Sequence, residues 1–307
     1  MIHGCVTCRP GGASERRHGT TGLRPWKRLA LSAWAALALA ACATHGDRAL
    51  GLADAHGLQA DRIDGNGFRH LVLHRRGRGP AGPSAPLHVY IEGDGVPWAA
   101  RTRVSPDPTP RNPLALRLML LDPGPSLYLG RPCYHGAARE PPCRPWLWTH
   151  GRYGDEVVEA MAAALARAVG GQEARPLTLI GYSGGGVLAM QLARRVPRVR
   201  TLVTIAANLD TDAWTELHGY SPLAGSPNPA RMPALPARIG QLHIVGSRDT
   251  EVPPALARRA LRDRPSARIR EVAGADHRCC WDAQWPRLLE LVRDLEARDV
   301  AGRRPGG

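Results

Sequence analysis

The stretch that decides the fold is Leu177-Thr-Leu-Ile-Gly-Tyr-Ser-Gly-Gly-Gly-Val-Leu-Ala-Met190. Leu177 to Ile180 is a short apolar run of strand type. Val187 to Arg195 suits a helix. Between them stands Gly181-Tyr182-Ser183-Gly184-Gly185, a G-x-S-x-G at a strand-to-helix turn. The spacing has a steric reason. Lifting a serine hydroxyl clear of a sheet needs a sharp turn and a sparsely populated backbone conformation. The residues two before and two after the serine then crowd the neighbouring strand and helix, and Gly181 and Gly185 have no side chain to clash. The helix that follows points its free N–H groups and positive dipole end at the serine.

Other glycine-rich readings fail on this stretch. A phosphate loop needs a Gly-Lys pair, and the chain's one lysine is Lys27. A dinucleotide fingerprint needs a third glycine where the chain has Ala189. The net charge of +14 comes almost entirely from arginine, without basic runs interleaved with aromatics, so no nucleic-acid partner is expected.

Working outward, strand and helix patterns alternate from residue 87 to 295. Leu87–Ile91 reads as a buried strand, Leu114–Leu121 as a short helix and Ser126–Leu129 as a short strand. Val158, Met161, Leu165 and Val169 share a face of a helix from Asp155, which Gly170-Gly171 stops. Strands follow at Arg200–Ala206, Ile239–Val245 and Ala267–Val272, with helices at Pro254–Leu261 and Trp281–Leu295. Phe68–His74 forms a hairpin with the residues before Asp64-Gly65-Asn66-Gly67. Such alternation predicts an α/β fold, a mainly parallel sheet with helices on both faces. Function in such sheets sits at the C-terminal strand ends. Residues 61–297 make up this domain, with an irregular insert about residues 208–238 and a disordered tail at 298–307.

A serine nucleophile needs a base, and the base needs an orienting carboxylate. Asp249 lies just beyond the Ile239–Val245 strand, and His277 just beyond the Ala267–Val272 strand. Both project from the same sheet edge as Ser183. Asp210, beyond the Arg200–Ala206 strand, is the rival acid.

The elbow, the order Ser, Asp, His and the two strand-end contexts make the chain resemble the α/β-hydrolase superfamily over about residues 60–297. Gly246-Ser-Arg-Asp249 matches its G-x-x-D and Gly274-Ala-Asp-His277 its G-x-x-H. More closely, Ile91-Glu-Gly-Asp-Gly95 and Asp276-His-Arg-Cys-Cys-Trp281 resemble segments of bacterial hydrolase-type lipoproteins. The resemblance implies a serine hydrolase of ester, thioester or similar acyl bonds, acting without cofactor or metal on a small-molecule or lipid acyl substrate. The oxyanion donors are then the backbone N–H groups of Gly184 and Asp94. Where superfamily members often read His-Gly-x, this chain reads Glu92-Gly93-Asp94, and the two carboxylates either brace the loop or favour cationic substrates. Trp214, Leu217 and Tyr220 occupy the usual lid position, and either form part of the substrate pocket or pack as a connection that does not touch substrate. Trp146 and Trp148 line the mouth or fill the core. The alternative function is a non-catalytic envelope lipoprotein that keeps the fold as a binding scaffold.

The N-terminal region reads as a targeting signal. Arg24, Lys27 and Arg28 precede a 13-residue apolar run, Leu29–Ala41, too short to span a bilayer. Leu39-Ala40-Ala41-Cys42 resembles the lipobox of bacterial lipoproteins. That resemblance implies a cleaved signal at 1–41, lipid on Cys42, a membrane tether over 42–60 and an extracytoplasmic location. Ala43 after the cysteine favours the outer membrane of a Gram-negative cell, facing the periplasm. The length of residues 1–23 ahead of this leader points to a later translation start. Four further cysteines, Cys133, Cys143, Cys279 and Cys280, allow three pairings. Of these the local Cys133–Cys143 bridge is preferred, leaving Cys279 and Cys280 as a vicinal bond or two thiols.

Overall fold

The computed structural model describes residues 45–75, 85–171 and 175–301. Residues 1–41, read as a signal, and Cys42 lie outside the described residues.

The first described helix, α1 (His45–Ala55), leads into β1 (Gln59–Gly65) and β2 (Phe68–Arg75). These two strands pair antiparallel, Gly65 opposite Phe68. Asn66 and Gly67 turn between them with φ of 52° and 82°, the left-handed pair a tight hairpin demands. Then come β3 (Leu87–Ile91), a small hairpin of β4 (Trp98–Ala100) and β5 (Arg103–Val104), α2 (Leu114–Leu121) and β6 (Ser126–Leu129). An irregular segment with two 3₁₀ turns reaches α3 (Asp155–Ala168). The remainder alternates: β7 (Leu177–Tyr182), α4 (Gly184–Arg195), β8 (Val199–Ile205), α5 (Thr211–His218), β9 (Gly240–Gly246), α6 (Pro254–Ala260), β10 (Ala267–Val272) and α7 (Trp281–Ala301).

Eight strands form one sheet in the order β1-β2-β6-β3-β7-β8-β9-β10. From β6 to β10 every pairing is parallel; β2 pairs antiparallel to both β1 and β6. Side chains alternate across the pleat, so each strand feeds two cores. Val89, Ile91, Leu127, Leu177 and Leu179 pack on one face with Val158, Met161 and Leu165 of α3 and Val187, Leu188 and Leu192 of α4. Tyr90, Tyr128, Ile180 and Ile244 pack on the other with Leu116 and Leu118 of α2 and Trp285, Leu288 and Val292 of α7. Trp281 and Trp285 are fully buried and supply the bulk that phenylalanine does not.

Three expectations need correction. Residues 45–60 are not a free tether: Ala49, Ala53 and Leu58 are buried in the second core, and β1 opens at Gln59. The fully buried positions of α1 are Ala49 and Ala53, with Leu50 and Leu52 packed only partly against the core, a stripe too weak to announce an amphipathic helix. At the other end, α7 continues through Ala301, into the stretch read as a disordered tail. The insert is not wholly irregular either, because it contains α5. Among the described residues, no helix is long and apolar enough to cross a membrane.

Candidate active site

Ser183 sits between β7 and α4 with φ 51° and ψ −123°, a conformation rare for any residue with a side chain. Two backbone bonds fix it. Its N–H donates to the Ile205 carbonyl of β8 at 2.8 Å, and its carbonyl accepts from Gly186 N–H at 2.9 Å. A Cβ at Gly181 would overlap the carbonyl of Gly185, and a Cβ at Gly185 would overlap the carbonyls of Ile91 and Glu92. Both glycines are therefore set by close approach of backbone.

The three residues expected to act together do meet. His277 Nε2 lies 3.1 Å from Ser183 Oγ, and His277 Nδ1 lies 2.9 Å from Asp249 Oδ2. The buried Asp249 also accepts from Val252 N–H at 2.7 Å through its other oxygen. A carboxylate can only accept, so Nδ1 carries the proton toward Asp249 and Nε2 is free to accept from the serine hydroxyl. The backbone carbonyl of His277 accepts from Tyr182 hydroxyl at 2.8 Å and from Trp281 Nε1 at 3.2 Å.

Asp210, the rival acid, is engaged elsewhere. It caps α5 by accepting from Ala213 N–H at 3.2 Å and pairs with the Arg259 guanidinium at 2.6 Å. Burial would raise its carboxyl, but bonds from Asn228 and Arg259 hold it below the usual carboxylate range.

Glu92 and Asp94 brace their loop; neither stands free for a cationic substrate. Glu92 turns under α2 and accepts from Gly93 and Ala115 N–H groups at 3.1 Å each. Complete burial outweighs these bonds and pushes its pKa up to about 7. Asp94 accepts from Arg131 Nη1 at 2.6 Å, Arg152 Nη1 at 2.9 Å and Tyr153 hydroxyl at 2.5 Å. Burial would raise its carboxyl, but the Arg152 and Arg131 charges hold it at about 2. Gly93 packs against Ser183: a Cβ there would approach Ser183 Cβ within 3.3 Å. The backbone N–H groups of Asp94 and Gly184 donate to no group among the described residues.

The insert borders this edge of the sheet. Trp214 Nε1 donates to the Glu251 carbonyl at 2.9 Å, and His218 Nε2 meets the same oxygen at 2.8 Å, two residues from Asp249. Tyr220 packs on Trp214 and stacks on His218, with centroids 5.1 Å apart in both pairs. Leu217 and Tyr220 are exposed. Of the two tryptophans read ambiguously, Trp148 fills the core and Trp146 is exposed, packed over Gly151 and Gly225. Both local disulfides are present, Cys133–Cys143 and the vicinal Cys279–Cys280.

Sequence reading missed Arg131, Tyr134, Arg152, Tyr153, Tyr182 and Trp281. The arginines carry no motif, and nothing local announces a partner 37 or 58 residues away. The one available signal was position: the Cys133–Cys143 pair lies within the same segment.

The sequence matches no protein-family profile and no curated protein. Solved structures do match. An alpha-beta serine hydrolase homologue from Coxiella burnetii superposes with a TM-score of 0.50 at 18% identity, over 77% of this chain and 97% of the other. Est1E from Butyrivibrio proteoclasticus gives 0.50 at 13% identity, over 79% and 99%. A puromycin-hydrolyzing peptidase from Mycobacterium tuberculosis gives 0.53 at 18% identity, over 79% of this chain but 38% of that longer one. These likenesses show that the chain has the α/β-hydrolase fold.

Proposed function

We propose that the protein is a serine hydrolase that cleaves an ester, thioester or similar acyl bond through an acyl-enzyme. The observation that carries this is the single imidazole bridging Ser183 and Asp249. Ser183 Oγ attacks the acyl carbon while its proton passes to His277 Nε2. Asp249 orients the ring and stabilises the imidazolium. The negative charge that develops on the carbonyl oxygen is met by the N–H groups of Gly184 and Asp94. Each such donor contributes roughly 10²–10³ in rate. The tetrahedral adduct collapses, His277 protonates the leaving group, and the acyl chain stays on Ser183. Water then attacks that ester with His277 as base, and the free acid leaves.

The acyl group is proposed to enter beside Trp214, Leu217 and Tyr220. The proposed setting is extracytoplasmic, with the chain anchored to the outer membrane of a Gram-negative cell by lipid on Cys42. This rests on the apolar run and lipobox-like end of residues 29–42. Radiolabelled palmitate incorporated into the wild type and lost in Cys42→Ser tests it.

The catalytic reading is tested with p-nitrophenyl esters of graded chain length and matching acyl thioesters, comparing wild type with Ser183→Ala. Turnover that vanishes in the variant supports it. A folded wild type that hydrolyses none of them goes against it.

A further inference from the structure

We propose that the segment from Arg131 to Tyr153 is a clamp that positions both oxyanion donors by gripping Asp94. The inference rests on the serine-hydrolase reading above and deepens it. It concerns positioning residues, none of which touches the reacting atoms.

Every side chain that holds Asp94 comes from this segment. Arg131, Arg152 and Tyr153 donate to its carboxylate, and Tyr134 hydroxyl donates to its backbone carbonyl at 2.9 Å. Residue 94 is thus fixed from both its side chain and its main chain, on either side of the N–H that would face the oxyanion. A loop residue with four donors upon it has little freedom left to misplace that N–H.

The clamp also sets the other donor. A Cβ on Gly184 would overlap Asp94 Oδ1 and come within 2.6 Å of Tyr153 hydroxyl. The Asp94 carboxylate and the Tyr153 phenol therefore occupy the space a side chain at 184 would need. Gly184 begins α4, so the same two groups rest against the start of the helix whose N–H meets the oxyanion. One contact places the donors relative to each other.

The segment is itself braced. The Cys133–Cys143 disulfide closes its first half, between Arg131 and Arg152 in sequence and directly beside Tyr134. Arg131 Nη2 donates to the Arg152 carbonyl at 2.9 Å, and Arg152 Nε to the Thr149 carbonyl at 2.6 Å, tying the two ends together. Gln191 Nε2 of α4 donates to the Tyr153 carbonyl at 2.7 Å, so the segment is fastened to the helix it positions. Both guanidinium groups are almost fully buried, at 1% and 7% side-chain exposure, with one carboxylate between them. Two buried cations on one anion are costly in a purely structural role. Beside a developing oxyanion the surplus positive charge is favourable.

The test compares wild type, Tyr134→Phe and Asp94→Asn. Tyr134→Phe removes one hydroxyl and keeps the ring, so it is the variant expected to fold as wild type does. Readouts are kcat and KM on a p-nitrophenyl ester, and Ki for a phenylboronic acid, which forms a tetrahedral adduct on an activated serine. Misplacing a donor by a fraction of an ångström should lower kcat about 10-fold in Tyr134→Phe, with KM within about twofold. The boronate Ki should weaken in parallel. Asp94→Asn should lose about 100-fold or more in kcat if it folds. Unchanged kcat and Ki in Tyr134→Phe, with an active wild type, overturns the clamp and leaves the hydrolase reading standing. A folded wild type that neither hydrolyses the ester nor binds the boronate overturns both.

Discussion

His277 Nε2 stands 3.1 Å from Ser183 Oγ, although the residues are 94 positions apart and follow strands β7 and β10, between which β8 and β9 intervene. The loop after β10 must therefore lean back across two strand ends to reach the elbow. Asp249, after β9, lies between them and holds the ring in that lean. The order of the strands allows the three side chains to meet, and the loop contacts bring them close.

Asp249 and Asp210 separate cleanly by variant. Asp249→Asn should lower kcat by about 10⁴-fold, because the imidazole loses the partner that fixes its tautomer. Asp210→Asn should keep activity near wild type and lower stability only slightly, because the amide oxygen still caps α5 while the pair lost is to the exposed Arg259. Steady-state kinetics and urea melts of the two variants check this.

Tyr182 is expected to hold the base in place. Tyr182→Phe removes one of two donors to the His277 carbonyl. The loss should be about 1 kcal/mol in stability, accompanied by a several-fold drop in kcat with KM little changed. Normal kcat in a folded variant would show that Trp281 alone suffices.

Gly185→Ala should not yield an active protein. The added methyl would meet the backbone carbonyls of Ile91 and Glu92, which cannot move without displacing β3. The expected result is insoluble protein or a folded one unreactive at Ser183, read by soluble yield and circular dichroism.

A buried cluster at the opposite end of β3 predicts a pH dependence of stability. His88 Nδ1 lies 2.5 Å from Asp122 and Nε2 lies 3.1 Å from Glu296, which tethers α7 to the sheet. Burial would lower its pKa, but bonds to the two carboxylates and their charges raise it to about 9. The folded pKa is above the unfolded value of about 6.5. The stabilisation is therefore complete below about pH 6.5 and lost as pH rises through 9, amounting to roughly 3 kcal/mol. In denaturant melts, the stability advantage of wild type over His88→Gln should shrink across that window. A constant difference would contradict it.

Much of the fold could be read from the chain because its signals are local. The apolar runs of β3, β7 and β9, the period of α3 and the glycine spacing at the elbow all lie within short windows. That Ser183, Asp249 and His277 could meet was legible for the same reason, since each lies within a few residues of a strand end. What escaped depends on distant partners. α1 is anchored by Ala49 and Ala53, whose burial only the finished core reveals. α5 is short and begins at an Asp210 that reads as well as a catalytic acid as it does as a cap. The role of residues 131–153 emerges only when Asp94 is brought to them. Departure of Glu92-Gly93-Asp94 from the His-Gly-x pattern marked the position but not the cause.

The most direct test of the central claim is labelling by a fluorophosphonate probe, which bonds only to an activated serine. The probe is applied to the folded protein with Cys42 replaced, beside Ser183→Ala. The account predicts stoichiometric labelling of the wild type and none of Ser183→Ala. No labelling of a folded wild type, or equal labelling of both, would contradict it.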